Sequence, residues 1–162
     1  AITTPYMKFY ELMALCEAGR FDTVRQYISD YWGGMLDPGA TSFWEAYDPN
    51  QKGAEHYQMY FTKYGKSLCH AWGAGPIVLY GKYFLGIRPT KAGYAEFEVV
   101  PQLGGLHHIS GKAPTPDGSI EVDYDGNTLR VVNHSGGTGT LRNGNRTATV
   151  LPHSEQTLTA AE

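Results

Sequence analysis

Trp32-Gly33-Gly34-Met35-Leu36-Asp37-Pro38-Gly39-Ala40-Thr41-Ser42-Phe43-Trp44-Glu45 is the densest unusual stretch of this chain. Its first half, Gly33 to Gly39, is built from turn residues and cannot extend a helix or a strand. Small residues there let backbone approach backbone closely. Its end sets an indole beside a carboxylate. A sugar offers an apolar face that stacks on an indole and hydroxyls that bond a carboxylate, so Trp44 and Glu45 supply both halves of a pyranose site. On residue type alone a blander reading also stands, an acidic side chain exposed near a loop.

The sequence before this stretch is helical. Thr4 suits an N-cap and Pro5 the first helical position, which needs no amide hydrogen. Tyr6, Phe9, Tyr10, Met13 and Cys16 recur at helical spacing, and Met7, Leu12 and Leu15 widen the apolar arc. Only Lys8 and Glu11 keep a polar strip, so the helix is expected to be buried on most sides. Gly19 ends it. Asp22 is read as the cap of a second helix, with Val24, Tyr27, Ile28 and Tyr31 on one face, and the short link makes a helical hairpin. Beyond Glu45, Ser67 is read as the cap of a third helix running to about Leu85 and ended by Gly86. Pro76 inside that span requires a kink or a later start.

Near residue 90 the pattern changes to period two. Ala95, Phe97 and Val99 alternate with polar neighbours, as do Ile120, Val122 and Tyr124. Asp125-Gly126-Asn127 and Asn143-Gly144 mark hairpin turns, the second joining Thr138–Leu141 to Arg146–Leu151. Gln156 to Thr159 reads as a last strand. Strands at this spacing predict a small antiparallel β-sandwich. Two domains follow, residues 1–89 and 90–162.

The totals set limits. With 162 residues, 41% of them hydrophobic, the chain can bury a core, and 18% charged residues is low for disorder. A net charge of −3 argues against a nucleic-acid partner. No run approaches the ~18 apolar residues of a membrane span. Cys16 and Cys69 cannot build a disulfide framework or a zinc site, and both read as reduced and buried. His107 and His108 are a poor metal pair, because adjacent strand residues face opposite ways. Asp117 and Asp125 lie in turns, and Lys63 and Lys66 read as solvated. No metal or cofactor is called for. The opening residues have no basic start before an apolar run and read as the middle of a fold, so the chain is expected to be one piece of a larger protein. Its compartment is not legible, whether cytoplasmic, periplasmic or secreted.

A second cluster, Ser67-Leu68-Cys69-His70-Ala71-Trp72-Gly73-Ala74-Gly75-Pro76, has small residues suited to close packing against the Trp44 segment. Taken alone, His70 fits a satisfied core histidine as readily as a working one. Together the two clusters resemble bacterial α-L-rhamnosidases, whose last barrel helices carry W-G-G-M-L-D-x-G-A-T-(T/S)-F-W-E and then S-x-x-H-x-W-x-x-G-P. Leu85-Gly86-Ile87-Arg88-Pro89 fits as well. So does Gly111 to Val122, which is similar to the G-x-x-P-T-x-x-G-x-I-x-V run of the family's C-terminal sandwich. The resemblance covers nearly the whole chain and weakens after Val132.

This resemblance implies the final helices of a six-hairpin α/α-barrel, a partial α/α-barrel here, followed by the β-sandwich. It implies inverting hydrolysis of terminal α-L-rhamnosyl residues in a rhamnose-containing glycoside or polysaccharide. Glu45 takes the position of the general base, His70 that of a sugar contact, and Trp44 that of a pocket wall. The family's general acid belongs to an earlier acidic loop with no counterpart here, since Asp22, Asp30, Asp37 and Asp48 sit in other motifs. The isolated chain is therefore expected to be inactive. It is also expected to associate with an N-terminal remainder, or with itself, to cover Tyr6, Phe9 and Met13. Two other readings stand beside this one. The sandwich could be a non-catalytic structural or sugar-binding module with an aromatic platform at Tyr94 and Tyr124. The barrel could also serve a glycosidase of other specificity.

Overall fold

The computed structural model describes residues 4–161 and divides into two compact units, Ala1–Val78 and Leu79–Glu162. This division falls earlier than the change of composition near residue 90. Residues 1–3 and 162, the outer ends of the two expected domains, lie outside the described residues.

The first unit opens with α1 (Pro5–Glu17) and α2 (Phe21–Tyr31), which pack on each other. Thr4 is the N-cap of α1 in extended conformation, although its hydroxyl makes no capping bond, and Pro5 takes the first turn. The helix stops in a Schellman turn. Gly19 N–H donates to Cys16 O and Arg20 N–H to Leu15 O, both at 2.9 Å, with Gly19 at φ 71°. Because that turn runs directly into α2, Arg20 occupies the cap position and Asp22 lies inside the first turn. Asp22 still favours the positive helix end, but it is not the cap that the sequence suggested. Val24, Ile28 and Tyr31 are buried as the spacing requires. Helix α1 is less enclosed than its composition predicts. Leu12 and Cys16 are buried, while Tyr6, Met7 and Tyr10 are exposed.

The expected third helix does not start at Ser67. Residues Ala71–Ala74 form a 3-10 turn, α3 covers only Gly75–Leu79, and a π-helical turn follows over Tyr80–Phe84. Pro76 explains the late start, since a proline is accommodated in a first turn but not within a helix.

The second unit is a sandwich of two four-stranded sheets. One contains β1 (Ile87–Pro89), β2 (Glu96–Val99), β6 (Thr138–Asn143) and β7 (Arg146–Val150) in the order β1-β2-β6-β7. The other contains β3 (Ile109–Thr115), β4 (Gly118–Tyr124), β5 (Thr128–Asn133) and β8 (Ser154–Thr159) in the order β3-β4-β5-β8. All pairings are antiparallel except β2 with β6. That parallel pair arises because the chain leaves one sheet after β2, builds β3 to β5 in the other, and returns. The core joins both sheets through Phe97, Val99, Ile120, Val122, Leu129, Val131, Leu141 and Leu158. Gly139 pairs with Phe97, and a Cβ there would stand 2.3 Å from the Phe97 ring, so the glycine makes room for the aromatic side chain.

Candidate active site

Glu45 is only 3% exposed. It sits where the two unusual segments of the sequence run side by side. Glu45 N–H donates to Ser67 O at 3.0 Å and His70 N–H to Phe43 O at 2.8 Å. The indole of Trp32 donates to Gly73 O at 2.7 Å, and that of Trp72 to Glu45 O at 3.1 Å. Close approach depends on the absence of a side chain at Gly73, whose Cβ would lie 2.7 Å from the Phe43 Cβ and 2.9 Å from Trp44 O. The packing of small residues against the Trp44 segment is thus present.

The carboxylate is held at both oxygens. The Tyr60 hydroxyl donates to Oε1, and Ser67 N–H donates to Oε2 at 3.0 Å. His70 Nδ1 lies 3.9 Å from Oε2. Burial pushes the Glu45 carboxyl up. The Tyr60 and Ser67 hydrogen bonds and the nearby His70 and Lys66 charges pull it further down, so it stays below its ordinary value. A carboxylate accepts about four hydrogen bonds. Two are taken here, which leaves capacity for a water. Such a group can accept a proton, and it also ties Ser67 to Glu45 mechanically.

The three residues singled out in the sequence are placed differently from one another. Glu45 and His70 come together, and the His70 side chain remains 30% exposed. Trp44 is enclosed, with its ring against Tyr57 and His56 and Lys66 Nζ 5.9 Å from its centre. A mostly apolar pocket of about 270 Å³ is lined by Trp32, Met35, Leu36 and residues 40–43, and its walls do not include Glu45 or His70.

Other expectations need correction. Lys66 is buried rather than solvated, since its amine packs over Trp44 and bonds Gln51. Cys69 is exposed, while Cys16 is buried as expected. Tyr94 and Tyr124 do not form an exposed platform. Both pack against the sandwich core, and the Tyr124 hydroxyl donates to Gly126 O. Asp117 accepts from Gly136 N–H, and Asp125 from the Asn127 and Thr128 amides, which accounts for both as turn anchors. Among the described residues no group of three or more His, Cys, Asp or Glu could hold a metal. No helix among them is long and apolar enough to cross a membrane.

Residues 86–133 match the family described as the bacterial α-L-rhamnosidase C-terminal domain. The chain also resembles the crystal structure of a GH78 family rhamnosidase of Bacillus sp. GL1, with 29% identity, a TM-score of 0.62, and coverage of 81% of this chain and 13% of that one. This chain matches the C-terminal portion of a bacterial α-L-rhamnosidase. The fold of the Streptomyces avermitilis α-L-rhamnosidase, crystallised with L-rhamnose, agrees with a TM-score of 0.71 at 18% identity, over 93% of this chain and 17% of that one. A search of curated proteins finds no match. The chain therefore spans less than a fifth of either rhamnosidase structure.

Sequence reasoning missed two contributors to the site. Trp72 lay inside a quoted motif, and its spacing from His70 could have flagged it. The two rings are 4.3 Å apart between centroids. Tyr60 lay in a stretch without any motif, and nothing in the residue string marks its contact with Glu45.

Proposed function

We propose that the chain is the base-bearing end of an inverting α-L-rhamnosidase. On this reading α1, α2 and the segments up to Val78 are the last elements of a six-hairpin α/α-barrel, and the strands from β1 onward form the sandwich that follows it, so the boundary lies before β1 rather than at residue 89. Glu45 is the general base, His70 contacts the bound rhamnosyl residue, and Trp44 is a wall of the sugar site completed by further polypeptide, packed behind the carboxylate. The observation that carries the reading is the enclosed Glu45 carboxylate, held at both oxygens and kept below its ordinary pKa beside a half-open histidine. A base must be ionised at the working pH and have a lone pair left for water. The lowered pKa supports the first condition, and the two acceptor positions not taken by Tyr60 and Ser67 support the second.

Inversion also requires a carboxylic acid about 6.5–9.5 Å from the base, on the other side of the glycosidic bond. We assign that acid to polypeptide beyond this chain. Alone, the chain is inactive. The exposed Tyr6, Met7 and Tyr10 of α1 are a surface for that polypeptide or for a second copy. Phe9 and Met13, which the sequence singled out with Tyr6, are already partly buried.

The test is Glu45→Gln in the longer enzyme containing this chain, assayed on an aryl α-L-rhamnoside. Turnover should fall by about 10²–10⁴-fold. Near-normal turnover would refute the assignment.

A further inference from the structure

We propose that Tyr60 is a positioning residue for Glu45, delivered to the carboxylate by a turn held in a left-handed backbone conformation. The inference rests on the reading of Glu45 as the general base. Tyr60 and Phe61 have φ of 54° and 62°. Two consecutive aromatic residues in this region are unusual, because a two-residue turn of this kind favours Asn and Gly. The turn is closed by a reciprocal pair of bonds in an isolated bridge, with Met59 N–H donating to Thr62 O at 3.2 Å and Thr62 N–H to Met59 O at 3.0 Å. The Thr62 hydroxyl adds a bond to Met59 O at 3.0 Å, and Lys66 N–H donates to Tyr57 O at 3.1 Å at the base of the loop. Gly65 packs so closely underneath that a Cβ would stand 2.2 Å from Thr62 Oγ1 and 2.3 Å from Met59 O.

Burial of the turn's own rings does not account for this strain. Tyr60 is 63% exposed, and Phe61 is wholly exposed. What the turn achieves is a single inward contact, a phenolic hydroxyl donated to an enclosed carboxylate. Strain that is locked in by its surroundings and yields one polar contact at a candidate site points to function. The groups facing Glu45 are the Tyr60 hydroxyl, the Ser67 amide, His70 and Lys66. Of those that keep the carboxyl ionised against burial, Tyr60 ranks first. Its hydrogen bond also fixes Oε1, which leaves the free lone pairs in a set direction for water.

The experiment compares Tyr60→Phe and Gly65→Ala with the parent in the longer enzyme, measuring kcat/KM against pH on an aryl α-L-rhamnoside. Loss of the donor should move the acid limb to higher pH. The rate should drop about tenfold at acidic pH and return toward the parent value as pH rises. Gly65→Ala should shift the limb the same way, by displacing the turn. An unmoved limb, or an equal loss at every pH, overturns the proposal. Glu45→Gln separates the two ideas, since full activity in that variant removes the base reading itself. Following the Glu45 carboxyl by carbon-13 NMR in the 162-residue chain gives an answer independent of turnover. There Tyr60→Phe should raise its titration midpoint, and an unchanged midpoint overturns the proposal even if Glu45 is the base.

Discussion

His70 Nδ1 stands 3.9 Å from Glu45 Oε2, beyond hydrogen-bond range but close enough for charge attraction once the imidazole is protonated. The contact joins two segments that the sequence separates by the whole loop from Ala46 to Lys66. It is one of the influences that hold Glu45 below its ordinary carboxyl value of 4.5 despite burial. A depressed folded-state pKa has a consequence for stability. The ionised group stabilises the fold above the unfolded-state value, and that contribution is lost as pH falls below about 4.5 through the lower folded-state value. Urea unfolding of the chain should therefore show Glu45→Gln less stable than the parent at pH 7. The gap between the two midpoints should narrow as pH drops below about 4.5. A gap that stays constant across this range would contradict the electrostatic account of Glu45.

Gly73 gives a separate test of how the site is assembled. Its missing side chain lets the 70–73 turn lie against Phe43 and Trp44, with a prospective Cβ 2.7 Å from one and 2.9 Å from the other's carbonyl. One of these neighbours is backbone and cannot swing aside. Gly73→Ala should cost about 1–3 kcal/mol by overpacking, read as a lower urea midpoint. It should also weaken the Trp32–Gly73 and Trp72–Glu45 hydrogen bonds, visible as a change in tryptophan fluorescence. An unchanged midpoint and spectrum would show that the two segments dock more loosely than these distances require.

The legible parts of the molecule were those fixed by local rules. Pro5 and Gly19 bracket α1 as their backbone preferences demand, and Asn143-Gly144 sits at the β6–β7 hairpin for the same reason. The alternation at Phe97, Val99, Ile120 and Val122 put those residues in the core. The parallel β2–β6 pairing was not legible, because strand order is set by long-range packing rather than by any local signal. Ser67 looked like a cap, but its amide is engaged by Glu45, a partner far away in sequence. Lys66 reads as a surface charge, yet the residue is buried and its amine lies over the Trp44 ring. At the site, the Trp44–Glu45 pair and His70 were visible as motifs. Tyr60 was not, because its role depends on a backbone conformation that aromatic residues seldom adopt.

The exposed face of α1 leads to the last prediction. Tyr6, Met7 and Tyr10 are 44%, 51% and 50% exposed on one short helix, although the sequence pattern expects them to be enclosed. Tyr6 also lies 5.7 Å from Trp72, itself 40% exposed, so the apolar surface continues toward the candidate site. A continuous patch of this kind is costly to leave in water, because burying one large apolar side chain is worth about 1.5–3 kcal/mol. If the remainder of a barrel normally covers it, the chain by itself should self-associate with a concentration dependence seen in sedimentation velocity. Replacing Met7 and Tyr10 with Ser should shift the distribution toward monomer without unfolding the sandwich, whose core is built from other residues. Adding the N-terminal portion of the longer enzyme should compete with self-association and form a complex of defined stoichiometry. A parent chain that sediments as a stable monomer at every concentration, and that ignores the N-terminal portion, would show that α1 presents this face to solvent for some other reason.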